Sequence, residues 1–141
     1  GIGSSHGTSP PVIQPGEWAL AAISFPSAAR LSTSDTMSFN VKAPPAASSS
    51  FNAAAIEVTQ ANLSGSAIRG GVRNTTGKMV TGPVIVDVYC FDEASKPVYT
   101  QGGSTSGAAG DLAPNATEPF QINISGQLCP SYLVGASGHH R

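Results

Sequence analysis

The run Val84-Ile85-Val86-Asp87-Val88-Tyr89-Cys90-Phe91 constrains this chain more than any other segment. β-Branched and aromatic side chains suit an extended, pleated backbone and crowd the turns of a helix. Read with a period of two, Val84, Val86, Val88 and Cys90 share one wholly apolar face. A strand of this kind must bury that face, and its backbone needs partner strands on either side.

Those partners are legible as shorter alternating runs. Ala67–Arg73 places both arginines, Arg69 and Arg73, on one face, and Asn74-Thr-Thr-Gly-Lys78 closes it as a turn. Asp92–Pro97 is a polar turn, after which Val98-Tyr99-Thr100 resumes an extended run. In Phe120–Ile124 the residues Phe120, Ile122 and Ile124 face opposite to Asn123. Tyr132–Ala136 is the last run. Strands are therefore expected near 67–73, 84–91, 97–101, 119–124 and 132–136. No stretch carries a helical period of Leu, Glu, Lys and Arg, so the fold class is all-β, and short strands at this spacing describe a β-sandwich.

An internal repeat adds to this. Leu31-Ser-Thr-Ser-Asp-Thr-Met-Ser-Phe39-Asn-Val41 parallels Leu112-Ala-Pro-Asn-Ala-Thr-Glu-Pro-Phe120-Gln-Ile122 at an offset of 81 (Leu112 against Leu31). The same offset carries Phe51 onto Tyr132, Ala55 onto Ala136 and Trp18 onto Tyr99. The expected organisation is an N-terminal tail or donor strand at 1–14, a partial β unit at 15–58, a complete domain at 59–138 and a C-terminal tail at 139–141. The partial unit carries Trp18, Leu20, Ile23, Phe25, Phe39, Val41, Phe51, Ile56 and Val58. Half a sandwich leaves an apolar face and an unpaired edge, so it has to pack on the second unit or on another chain.

Charged residues make up 11% of the chain, and the net charge is −1 with no block of like charges. That gives no basic footprint for nucleic acid. No apolar run approaches the ~18 residues of a membrane-spanning helix. A start at Gly1 suggests a processed or excised chain.

Two cysteines, Cys90 and Cys129, make one expected disulfide in an extracellular setting, closing a loop of about 40 residues. At the offset of the repeat, Ser9 and Ser48 stand where Cys90 and Cys129 do, so both cysteines are missing together, as a bonded pair would be. Four of the six asparagines head Asn-x-Ser/Thr sequons: Asn62, Asn74, Asn115 and Asn123. Asn74 in a turn and Asn123 on an outward face are the expected glycosylation sites, although a Ser/Thr-rich chain also generates sequons that nothing uses.

The stretch from about Ile68 to Gly138 resembles the FxLYD family, immunoglobulin-like domains of bacterial and archaeal surface proteins. The matching residues are Gly71-Val72-Arg73-Asn74-Thr75, then Val84–Asp92, then Leu112-Ala-Pro before Phe120. Val88-Tyr89-Cys90-Phe91-Asp92 stands where the family has Phe-x-Leu-Tyr-Asp; Asp92 is kept, and Phe91 replaces Tyr. The resemblance implies an immunoglobulin-like β-sandwich in an extracytoplasmic setting, and it implies no reaction.

The residues offer little chemistry. Gly3-Ser4-Ser5-His6-Gly7 has the letters of a nucleophile elbow but lacks the strand before it and the helix after it. His6, His139 and His140 lie in the expected tails and lack the converging spacing of zinc ligands. Trp18, Tyr89 and Tyr99 could form a sugar platform or fill packing positions, and packing is the expected use. The chain is thus expected to be non-enzymatic, without cofactor or metal, and extracellular or at the cell surface. Two functions are expected. The first is a structural subunit of a surface filament, joined to copies of itself or to neighbouring immunoglobulin-like domains by β-strand complementation. The alternative is a glycan- or protein-binding module of a surface lipoprotein or adhesin.

Overall fold

The computed structural model describes residues 8–9, 20–21, 32, 34, 36, 38, 52–106, 110–124, 126 and 128–140. Its strands are β1 (Thr8–Ser9), β2 (Leu20–Ala21), β3 (Asn52–Ser64), β4 (Ala67–Arg73), β5 (Thr81–Phe91), β6 (Pro97–Ser104), β7 (Thr117–Asn123) and β8 (Ser131–His140). There is no helix among the described residues. β1 and β2 pair with each other, and the remaining six form one antiparallel sheet in the order β6-β5-β8-β3-β4-β7.

That sheet curls, and the long strand β3 is where it bends. Residues Asn52–Ile56 pair with β8, whereas Glu57–Ser64 pair with β4. A register shift between Val58 and Gln60 inserts Thr59 as an extra residue at the crossing, and a bulge of this kind bends a strand and increases its twist. Gly70 faces the bulge: a Cβ there would meet the carbonyl oxygen of Gln60 and lie 2.7 Å from Cζ of Phe120, so no larger residue fits. Where β3 has left β8, the Tyr132 hydroxyl substitutes for the missing strand. It donates to the Ala61 carbonyl at 3.2 Å and accepts from the Leu63 amide at 3.1 Å.

The two outer strands of the sheet approach each other on the far side. Thr105, just after β6, bridges Phe120 of β7, and the Ser106 amide donates to the Pro119 carbonyl at 2.9 Å. The core lies inside the curl. Val84, Val86, Val88 and Cys90 of β5 are all at most 1% exposed, so the face read from the alternation is the inner face. Ile68 and Val72 of β4, together with Phe120, Ile122 and Ile124, complete the packing, and Asn123 points outward as expected. Burying side chains of this size contributes roughly 1.5–3 kcal/mol each.

Three sequence expectations meet a different arrangement. The unit boundary expected between residues 58 and 59 falls inside β3. His139 and His140, expected in a C-terminal tail, are the last two residues of β8, paired with Ala53 and Asn52. β5 and β8 also run longer than expected, because ladder partners on both sides carry them past their apolar centres. Trp18, Ile23, Phe25, Phe39, Val41, Phe51, His6 and the Gly3–Gly7 motif lie outside the described residues.

Candidate binding face

The outer face of β3, β4 and β7 is built in rows set by strand register. Glu57 lies opposite Arg73, which lies opposite Thr117. Gln60, Gly71 and Pro119 form the next row, and Asn62, Arg69 and Gln121 the one after it. Outward positions of a one-sided sheet are polar because water meets them, and here they enclose an open groove of about 460 Å³. Gly71 is its floor: a Cβ there would lie 3.1 Å from Oγ1 of Thr59 and 3.6 Å from the Thr117 methyl group. Gln60, Asn62, Ser64 and Arg69 line the sides.

The two arginines read from the sequence as sharing a face do share it, with different partners. Arg73 pairs with Glu57 at 2.8 Å, both side chains nearly half exposed, an ion pair that contributes about 0–1 kcal/mol. Arg69 meets only neutral groups among the described residues. Its Nε donates to Oε1 of Gln121 at 2.9 Å and its NH1 to the Ser64 hydroxyl at 3.3 Å. Gln121 is held in turn, donating to Oδ1 of Asn123 at 3.1 Å.

The four sequon asparagines fall in different settings. Asn62 and Asn123 are exposed on this same face, and Asn115 is exposed in a turn, at φ +63° after Pro114. Asn74 is fully buried. Its side-chain amide donates to the carbonyls of Lys78 at 2.7 Å and Leu112 at 2.8 Å, and its Oδ1 accepts from both the amide and the hydroxyl of Thr76. The Asn-x-Thr pattern at 74–76 therefore serves an internal turn, and in the folded chain Nδ2 of Asn74 has no hydrogen free for a sugar. Leu112, 38 residues along the chain, is brought to Asn74 only by the fold.

Cys90 and Cys129 form a disulfide with their Cα atoms 5.1 Å apart, tying β5 to the segment that enters β8. Tyr89 and Tyr99 do not share a platform. Tyr89 is on the outer face of β5, whereas Tyr99 packs against the core and donates its hydroxyl to Gln101 at 2.8 Å. Asp92 has a role that the sequence did not reveal: its carboxylate accepts the amides of Ala94 and Lys96 at 2.9 and 2.8 Å and so shapes the β5–β6 turn.

Among the described residues no group of three or more His, Cys, Asp and Glu side chains could hold a metal ion, and no helix is long and apolar enough to cross a membrane. No family model, curated protein or solved structure matches the chain.

Proposed function

We propose that the chain is a non-enzymatic extracellular structural module, a subunit of a cell-surface filament or assembly whose partners are copies of itself or related domains. The carrying observation is the outer face of β5 and β8. Ile85 is 38% exposed and Leu133 is 39% exposed, and Tyr89, directly opposite Leu133, and Phe91 continue the face. Gly102 and Gly135 flank Asp87, whose carboxylate lies over Gly102 and sets one charge within the face. Exposed apolar side chains grouped on one sheet face mark a contact surface more often than scattered ones do.

The immunoglobulin-like, FxLYD-like reading belongs to the same proposal. Asp92, the residue kept from the family motif, is the one that closes the β5–β6 turn. The repeat finds support in β1 and β2, which pair antiparallel. Displaced by 81 residues, Thr8–Ser9 and Leu20–Ala21 fall on 89–90 and 101–102, inside β5 and β6, which also pair antiparallel but in a register shifted by two residues. Strand complementation would use the edges of β6 and β7 away from their contact at Thr105 and Phe120, or Thr8–Ser9 once released from β2.

Sedimentation velocity across a concentration series tests the assembly. The chain is expected to self-associate, and Leu133→Asp to remain monomeric while still folded. A monomer at every concentration for the unaltered chain overturns the subunit reading. A second reading, a glycan- or protein-binding module, is favoured by the groove on the opposite half of the sheet.

A further inference from the structure

We infer that the groove over β3, β4 and β7 binds an acidic saccharide, a sugar unit bearing a carboxylate, with Arg69 as the anion-recognising group. This rests on the second reading, that the chain is a binding module, and names the ligand class.

Charge comes first. Arg69 carries a positive charge into a groove that no carboxylate lines among the described residues, whereas Arg73, two rows away on the same strand, is paired with Glu57. An arginine presents five N–H donors in a planar fork that fits a carboxylate in bidentate fashion. Nε and one NH1 hydrogen of Arg69 are used by Gln121 and Ser64. Those bonds hold the guanidinium plane in place and leave NH2 and the second NH1 hydrogen for a ligand. A group held in its binding orientation loses less freedom when the ligand arrives.

The neighbours decide between a sugar and other carboxylates. Gln60 and Asn62 each offer an amide with both donor and acceptor atoms, the chemistry that hydroxyl groups require. Gly71 leaves a depression between Thr59 and Thr117, and the Pro119 ring supplies a small apolar wall. The groove has no deep apolar pocket for a peptide side chain. Its volume of about 460 Å³ falls within the usual range for small ligands, ~300–1,000 Å³.

The test is a titration of the whole chain, produced without glycosylation, followed by amide chemical shifts. Three probes are compared: trigalacturonate, maltotriose as a neutral saccharide of equal length, and triglycine as a carboxylate without hydroxyl groups. Trigalacturonate is expected to shift the amides of Gln60–Ser64, Arg69–Gly71 and Thr117–Gln121, and to bind more weakly as salt is raised. Arg69→Gln is expected to weaken it at least tenfold. Gly71→Val should abolish it by filling the floor. Should Gly71→Val fail to fold, Asn62→Ala on the groove wall serves instead, with a weaker loss expected. Equal or better binding of maltotriose or triglycine overturns the acidic-saccharide assignment and leaves a binding module standing. No shift with any probe, or shifts unaffected by Arg69→Gln, overturns the groove as a site. Sugar found attached to Asn62 on protein from its native source also overturns it, because that sugar would occupy the same space.

Discussion

Asn74 shows how one polar side chain can organise distant segments. Its backbone donates to the Ala116 carbonyl at 3.0 Å and accepts from the Asn115 amide at 2.8 Å, while its side chain holds Lys78, Leu112 and Thr76. The end of β4, the 74–78 turn and the approach to β7 are thereby joined at one buried point. Replacing it with alanine removes its four side-chain hydrogen bonds, each worth about 0.5–1.5 kcal/mol net, while the Leu112 carbonyl keeps the Val80 amide as a partner. Asn74→Ala is therefore expected to lower the unfolding free energy by roughly 2–4 kcal/mol, read from denaturant melts. The same burial bears on modification. Glycopeptide mapping of native-source protein is expected to find Asn74 bare and sugar on the exposed Asn115. Sugar at Asn74 would contradict the buried amide.

At the scale of elements, the bend in β3 lets one strand serve two halves of the sheet. Two consecutive exposed residues at the bulge, Thr59 and Gln60, allow the inner face to continue from Ile56 and Val58 to Ala61. The bend depends on Gly70, whose backbone the bulge approaches too closely for a side chain. Gly70→Ala is expected to destabilise the protein by about 1–3 kcal/mol or more, as overpacking does. Gly77→Ala makes a useful contrast: Gly77 has φ +72° with nothing within 4 Å, so it carries only backbone strain, about 1–2 kcal/mol. Thermal melts of the two variants would separate steric collision from strain. Equal small losses would mean that the bulge can relax.

At the scale of the whole molecule, closure and cross-linking supplement a core of modest size. The described residues bury aliphatic side chains for the most part, with Phe120 the one buried phenylalanine among them. The Cys90–Cys129 bond spans 39 residues and joins β5 to the entry of β8. By loop entropy it stabilises the fold by about 4 kcal/mol. The double variant Cys90→Ala/Cys129→Ala is expected to lose roughly 3–4 kcal/mol, measured against the oxidised parent in urea. An unchanged midpoint would show that the unfolded chain gains nothing from being opened.

Much of this architecture could be read from the amino-acid sequence alone. The inward faces of β5 and β7 follow from alternation, because side-chain direction in a strand has period two whatever the strand packs against. The disulfide is the one intramolecular pairing that two cysteines allow. What the sequence left open was every feature made by residues far apart along the chain. Asn74 reads as a solvent-facing sequon until Leu112 is brought beside it, and β3 reads as a unit boundary until β8 and β4 divide it between them. The groove likewise needs three strands in register to place Asn62, Arg69 and Gln121 in one row. Local pattern determines which way a side chain points, and only the tertiary fold determines what it meets there.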